Sequence, residues 1–200
     1  KNNGIKIGNP PKMLGNEGSH VCYVWYNDCT VPSSSLLGNK EGNGLKLALR
    51  GINHARLHVA ATCVGQSIRL IKEMTKYASE RKQFNKSIGN FGQISAMLAD
   101  SRSEMLAGRA LCLDCAKKFD NEKNIPFTDI ASAKLFCSEM VSRIADRALQ
   151  IMGGMGYIED YSDVPRLYRD VRLFRIFEGS SQIQQNTISK FMIKNYLTSE

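Results

Sequence analysis

The chain has 200 residues, of which 42% are hydrophobic, and carries a formal net charge of +8 with an isoelectric point near 9.2. This length and composition can bury a core, and the apolar stretches are too short to predict a membrane span. The basic residues are scattered and accompany no nucleic-acid-binding motif, so an anionic cofactor or thioester ligand explains the charge as well as nucleic acid would, and a solvated surface explains it best.

The first forty residues differ from the rest, with glycines and prolines around the stretch HVCYVWYNDCTVP, residues 20–32. The β-branched and aromatic residues of this stretch predict strands. A hairpin is not stable alone in water, so these strands must pair with strands outside this chain or lie across its helices. We therefore expect the segment to be part of a larger β structure.

Three long stretches then repeat apolar residues at steps of three and four, which predicts amphipathic helices. The segment DNEKNIP, residues 120–126, separates the second stretch from the third, because Pro126 does not continue a helix easily. A fourth helix is predicted to begin near Ser180 or Ser181, with Ser181 and Gln184 spaced as a capping box. The apolar residues are Leu57, Ala61, Val64, Ile68, Ile71 and Ala78, then Ile94, Met97, Leu98, Met105, Gly108, Cys112, Ala116 and Phe119, then Ile130, Ala133, Cys137, Met140, Ile144, Ala148 and Ile151.

The six cysteines fall mostly within these helical patterns, so we expect buried thiols and not disulfides. Cys112 and Cys115 have the spacing of a metal site. No second pair follows them, so a buried helix face is favoured and no metal is predicted. His54 and His58 are four positions apart but lack the glutamate of a zinc-protease motif.

A glycine cluster within QIMGGMGYIEDY, residues 150–161, closes the third helix. A dinucleotide-binding glycine loop instead follows a strand and opens a helix, so the cluster predicts a helix C-cap and a turn. Downstream, Glu178 lies just before the fourth helix. It could complement the helix dipole, as acidic residues there commonly do, or it could be a catalytic base held in a loop.

Four stretches, NHARLHVAATCVGQ, ERKQFNKSIGNFGQIS, ALQIMGGMGYIEDY and PRLYRDVRLFRIFEGSSQIQ, resemble the C-terminal half of the acyl-CoA dehydrogenase family, in the same order and at similar separations. The resemblance implies a mainly α fold: an up-and-down four-helix bundle over residues 41–200, preceded by the end of a middle β domain over residues 1–40. It also implies that the chain is a C-terminal part of a longer enzyme. This part alone is expected to be inactive.

The resemblance further implies an FAD-dependent dehydrogenation of an acyl-CoA thioester to a trans-2-enoyl-CoA, a step of fatty acid β-oxidation. Glu178 matches the base that removes the α-proton, and Ala55 occupies the alternative position of that base. Arg56 and Gly179 match residues near the substrate. Asn53 matches a polar or acidic residue that helps to bind CoA.

The FAD-binding residues implied by the resemblance form three groups. One belongs to the part that reaches the adenosine diphosphate of a neighbouring subunit, the second is its partner loop, and the third follows the base and touches the flavin nucleotide. They are Arg81, Phe84, Phe91, Gly92 and Gln93, then Gln150, Gly153 and Gly154, then Ser180 and Gln182.

The family also implies electron-transferring flavoprotein as partner, a homotetramer, and a location in the mitochondrial matrix or the bacterial cytoplasm. Two alternatives remain open at this point. An acyl-CoA oxidase would perform the same first half-reaction and pass its electrons to oxygen, and a non-enzymatic helical module would use the bundle only for assembly.

Overall fold

The computed structural model describes residues 4–121 and 127–199 of the chain. Most of these residues are helical: α1 spans Gly44–Glu80, α2 Gly92–Asn121, α3 Phe127–Met152, α4 Val164–Val171 and α5 Ser181–Thr198. The strands are short, with β1 at Ile5–Ile7, β2 at Val24–Tyr26, β3 at Lys82–Gln83 and β4 at Lys86–Ser87. The mainly α fold that was predicted is confirmed. The predicted connection between α2 and α3 lies largely outside the described residues.

The four long helices run up and down. The ring of His54 near the start of α1 packs edge-on against Phe119 near the end of α2, so α1 and α2 are antiparallel. Tyr77 near the end of α1 packs against Tyr161, which follows α3, so α1 and α3 run in the same direction. Helix α5 starts beside the middle of α3, where Ser181 bonds to Glu139, and packs back along α3.

The core lies between α1, α2 and α3, and α4 closes it from one side. Leu70, Met74, Met105, Met140 and Ile144 are completely or almost completely buried there. Each such side chain contributes about 1.5–3 kcal/mol of transfer free energy. Helix α3 has the most buried positions, because it is the helix that contacts the other three long helices.

The third helix ends where the glycine cluster predicts. Helix α3 stops at Met152, and Gly153, with a left-handed φ of 57°, is the first residue of a 3-10 helix that spans Gly153–Tyr157. A glycine in this conformation just after a helix is a common C-cap, so the prediction of a C-cap and turn is confirmed. The short helix α4 that follows has no counterpart in the sequence analysis.

The N-terminal segment forms a small antiparallel pair, in which Ile5 of β1 lies opposite Tyr26 of β2. Both strands are exposed along their whole length. The connection between them reaches α4, where the Asn16 backbone N–H donates to the Asp170 carboxylate at 2.6 Å. Within the described residues, no helix is both long and apolar enough to cross a membrane.

Candidate active site

Glu178 and Gly179 form a left-handed turn immediately before α5. Their φ angles are 53° and 86°. The left-handed region is common for glycine but unfavourable for glutamate, so surrounding contacts must hold Glu178 in it. Helix α5 is capped by Ser180, whose hydroxyl accepts from the Ile183 N–H, and its first turn contains no acidic residue. Glu178 therefore lies outside the helix and does not act as its cap.

The predicted capping box of Ser181 and Gln184 is wrong. Ser180 takes the cap position, and Ser181 instead donates its hydroxyl to Glu139 at 2.6 Å. The Gln184 side chain instead donates from Nε2 to the backbone carbonyls of Glu178 and Gly179. The sequence spacing did fit a box, but a competing set of buried hydrogen bonds decides the geometry.

Two consecutive carbonyls in the turn each accept two side-chain hydrogen bonds. The Glu178 oxygen accepts from Arg56 Nε at 3.0 Å and from Gln184 Nε2 at 3.2 Å. The Gly179 oxygen accepts from Lys134 Nζ at 2.7 Å and from Gln184 Nε2 at 2.9 Å. These donors come from α1, α3 and α5, so three separate elements fix the backbone of the turn.

The carboxylate of Glu178 is left uncommitted by this arrangement. It is half-buried and makes neither a hydrogen bond nor an ion pair with any residue that the structure describes. Burial lowers the pKa of Arg56, and the charge of Glu178 opposes that shift, so the guanidinium and the carboxylate are electrostatically coupled. A half-buried, unpaired carboxylate on a rigid backbone is suited to accept a proton from a bound molecule.

Arg56 is itself oriented by Asn53. The Asn53 side chain is buried, and its Oδ1 accepts from Arg56 Nη1 at 3.0 Å. The resemblance implies a contact between Asn53 and the CoA part of the substrate, whereas the contact seen in the structure is with Arg56. Ala55 lies between them on α1 and is half-buried.

Most of the remaining predicted cofactor residues lie away from Glu178, around the ends of α1 and α3. Arg81 follows α1, and Gly153 and Gly154 follow α3, which runs in the same direction. Arg56 and Arg81 are 25 positions apart in the sequence, which corresponds to about 37 Å along a helix. Ser180 and Gln182 are instead beside Glu178. The structure thus separates the predicted cofactor residues into two groups, one beside the middle of α3 and one around the ends of α1 and α3.

The distant group has an exposed and chemically suitable surface for an anionic, aromatic cofactor. Arg81 is exposed and has no ion-pair partner within residues 4–121 and 127–199. The ring of Phe84, 87% exposed in the tight turn between β3 and β4, packs edge-on against Phe91. A guanidinium fits a pyrophosphate and an exposed ring fits a nucleobase, so these residues fit FAD.

The neighbouring elements complete this end of the molecule. Gly92 and Gln93 open α2 beside Phe91, and Gln150 is exposed in the last turn of α3. A Cβ placed on Gly154 would meet open space, so a ligand can approach its backbone without obstruction. These positions leave room for a cofactor where the resemblance implies one.

The buried cysteines are structural. Burial raises the pKa of Cys115 to about 11 and that of Cys137 to about 12, so both remain thiols at neutral pH. The structure describes all six cysteines as free. In the described part of the chain no three His, Cys, Asp or Glu side chains converge as metal ligands.

Comparisons with known proteins show which family this chain resembles. The family model of the C-terminal domain of acyl-CoA dehydrogenases matches residues 42–193. A subunit of the caffeyl-CoA reductase–Etf complex of Acetobacterium woodii is 37% identical over 97% of this chain and 50% of its own length. The mitochondrial very long-chain specific acyl-CoA dehydrogenase of Mus musculus is 35% identical over 90% of this chain and 27% of its own length.

Solved structures give the same result. Butyryl-CoA dehydrogenase from Megasphaera elsdenii superimposes with a TM-score of 0.89 and 29% identity, over 96% of this chain and 49% of that one. An FAD-dependent dehydrogenase superimposes with a TM-score of 0.90 and 25% identity, over 96% of this chain and 51% of that one. This chain therefore spans about half the length, or less, of these relatives. By the extent of these matches, the chain belongs to the acyl-CoA dehydrogenase family, a family of flavin-dependent oxidoreductases.

Proposed function

We propose that the complete enzyme containing this chain oxidises an acyl-CoA thioester to a trans-2-enoyl-CoA, with Glu178 as the base that removes the α-proton. The main support is the carboxylate of Glu178, which is half-buried and unpaired within the described residues while its backbone is held by side chains from three helices. A residue that only complements a helix dipole needs no such support. General-base catalysis of this kind typically contributes about 10²- to 10⁴-fold to a rate.

The chain also offers a donor for the developing negative charge. The backbone N–H of Glu178 has no acceptor within residues 127–199 or the described N-terminal part. A free N–H beside the base can donate to the thioester oxygen and stabilise the enolate, as an oxyanion hole does. Arg56 keeps this peptide in place through the Glu178 carbonyl, and Asn53 keeps Arg56 in place.

The chemistry that FAD supplies when bound is two-electron oxidation of the Cα–Cβ bond. Ser180 and Gln182 are the candidates for contact near Glu178, and Arg81, Phe84, Phe91, Gly92, Gln93, Gln150, Gly153 and Gly154 are the candidates around the ends of α1 and α3. Because Arg81 lies roughly 37 Å from Arg56 along α1, we propose that one cofactor contacts Ser180 and Gln182 of one copy and Arg81 and its neighbours of another. This supports a homo-oligomer, for which the proposed state is a tetramer.

Residues 1–40 are proposed to complete a β domain, because β1 and β2 are exposed along their whole length. Electron-transferring flavoprotein is the proposed electron acceptor, since one relative is named as a subunit of an Etf complex. That relative is a reductase of a CoA ester, so the reverse reaction should also be assayed. The matched relatives include mitochondrial and bacterial proteins, and we propose the mitochondrial matrix or bacterial cytoplasm as the location.

The test is anaerobic bleaching of the flavin by straight and branched acyl-CoA esters in Glu178→Gln of the complete enzyme. Flavin content and acyl-CoA affinity should remain close to wild type, while flavin reduction slows by at least about 10²-fold. Asp146→Asn is the matched control, because Asp146 is exposed on α3 and has no ion-pair partner among the described residues. Normal reduction in Glu178→Gln would remove this residue as the base.

The electron acceptor is tested separately, by mixing the reduced enzyme with air and with electron-transferring flavoprotein. Fast reoxidation by the flavoprotein alone would support the dehydrogenase. Fast reoxidation by oxygen would support the acyl-CoA oxidase. A complete protein without flavin would instead favour the non-enzymatic assembly module.

A further inference from the structure

Lys134 is a buried lysine that has no role in the proposed reaction as described above. It occupies the apolar face of α3 and is completely inaccessible to solvent. Burial lowers the pKa of Lys134, and lysine is rarely fully buried without a specific partner. Its hydrogen-bond acceptor is the carbonyl oxygen of Gly179, at 2.7 Å. An ammonium and a neutral amine can both donate to this oxygen, so the contact survives either protonation state.

Gln184 donates a second hydrogen bond to the same oxygen. Its side chain is fully buried, and Nε2 donates to the carbonyls of Glu178 and Gly179. The amide orientation follows from this geometry, because only the nitrogen can donate to two carbonyls. Its Oε1 is buried without a partner in the described part of the molecule, an energetic cost that the two donated bonds offset.

These contacts hold the backbone in a conformation that glutamate does not prefer. Glu178 has a φ of 53°, and the next residue, Gly179, carries the carbonyl oxygen that Lys134 and Gln184 share. If both donors were absent, Glu178 could relax toward the right-handed or extended region, and its carboxylate would turn with the backbone. Side-chain hydrogen bonds to buried carbonyls are a means by which a protein maintains such strain.

We propose that Lys134 and Gln184 are positioning residues of the proposed reaction, which fix the turn that carries the Glu178 carboxylate by both donating to the Gly179 carbonyl. The inference rests on the proposed function for its kinetic consequence. The ordering of the turn itself does not depend on which residue is the base.

The experiment uses Lys134→Met and Gln184→Met in the complete holoenzyme. Methionine has a similar length and removes the donor while keeping the apolar stem. Ser138→Ala is the matched control, because Ser138 is fully buried one turn later on α3 and donates to Leu135 of its own helix, not to the loop. Rates are normalised to flavin content, so that a loss of folded enzyme is not counted as a loss of activity.

In both methionine variants we expect amide hydrogen exchange to accelerate by about tenfold or more in the peptide that covers 176–181, but not in peptides from α1 or α2. The rate of flavin reduction should fall by about 10²-fold, since small displacements of a reacting group have effects of that size. The KM for acyl-CoA should change by less than about threefold, because the lost interaction acts on the chemical step.

Exchange and flavin reduction both at wild-type levels in the variants would overturn the proposal. Loss of thermal stability with an unchanged rate per flavin would also overturn it, because that result describes a purely structural role. If Lys134→Met does not fold, Gln184→Met provides the same test, since it withdraws the other donor from the same oxygen. Failure of the proposed function is distinguishable: Glu178→Gln would then stay active, while faster exchange in 176–181 would still show that the two residues order the turn.

Discussion

At the scale of single residues, Gly179 is a position of the candidate site that does not tolerate a side chain. Its φ is 86°, and an added Cβ would lie 2.6 Å from Gln184 Nε2 and 3.1 Å from Arg56 Nη2. Gly179→Ala should therefore lower the free energy of unfolding by about 1–3 kcal/mol and displace both donors from the turn. Thermal unfolding and flavin reduction measure the two effects.

The control for that substitution is Gly65→Ala. Gly65 is exposed within α1, has an ordinary helical backbone, and an added Cβ would meet nothing within 4 Å. Alanine is the better helix former, so this variant should gain roughly 0.5–1 kcal/mol of stability and keep full activity. Equal behaviour of the two alanine variants would contradict the strain argument.

Glu139 makes the thermal stability of the protein depend on pH. Burial alone raises the pKa of Glu139, but hydrogen bonds from Ser181 and Arg175 and the charge of Arg143 outweigh this and hold it below its ordinary value of 4.5. A carboxyl with a lowered folded-state pKa stabilises the protein above the unfolded value, and this contribution disappears as pH falls through the folded value. The midpoint of thermal unfolding at pH 7 should therefore be higher for wild type than for Glu139→Gln.

The difference in midpoint should decrease below pH 4.5. A series of thermal unfolding curves from pH 7 to about pH 3 measures it. Asp146→Asn is the comparison, because Asp146 has no ion-pair partner among the described residues and should give no such trend. A difference that grows on acidification would show that the sign of the argument is wrong.

The sequence predicts Glu178 through its motif but does not predict what holds it. Lys134 interrupts an apolar stripe between Ala133 and Cys137, and this interruption is the one signal that could have drawn attention to it. Its partner is a backbone carbonyl 45 positions away, and backbone atoms leave no residue-specific pattern in a sequence. For Gln184 the sequence predicts a capping role, whereas its amide instead donates to the carbonyls of Glu178 and Gly179.

At the scale of elements, the start of α5 depends on Ser180. Its hydroxyl accepts from the Ile183 N–H, which satisfies one of the unpaired donors of the first turn. Ser180→Ala should cost about 1 kcal/mol. Thermal unfolding measures the loss, with Ser189→Ala as the control, since Ser189 bonds only within α5 and is exposed. Equal stability of the two variants would show that the cap contributes nothing.

The long helices were predictable because their apolar periods continue over many turns. Helix α1 ends at Glu80, two positions after Ala78, the last apolar residue of its predicted period, and α3 ends next to the glycine cluster. The short helix α4 was not predicted. It has only 8 residues, and its burial against α1 and α3 stabilises it more than its local sequence does. Short elements of this kind depend on tertiary contacts that a single sequence does not display.

At the scale of the whole molecule, the C-terminal part of α5 exposes large apolar side chains. Large apolar side chains near the end of α5 are between 47% and 66% exposed, namely Phe191, Met192, Ile193, Tyr196 and Leu197. Monomeric proteins rarely expose contiguous apolar patches of this kind without a function. The patch supports the proposed assembly of several copies, as does the separation of the candidate FAD residues into two groups.

The same separation leads to a prediction about the isolated chain. Glu178, Ser180 and Gln182 lie beside Arg56 and the middle of α3, whereas Arg81 follows α1 roughly 37 Å from Arg56 along that helix. One copy can therefore offer only part of the contacts to any one FAD molecule. We expect the isolated chain to be mainly helical by circular dichroism but to bind FAD at least about tenfold more weakly than the complete enzyme, since each lost anchoring contact is worth about 1 kcal/mol or more.

Flavin fluorescence anisotropy measures the affinity for FAD, and Arg81→Met is the informative variant. It should weaken FAD binding in the complete enzyme and have little effect on the isolated chain, because a single copy does not bring Arg81 to the flavin that Ser180 and Gln182 contact. Stoichiometric, tight FAD binding by a monomer of the isolated chain would show that one copy suffices.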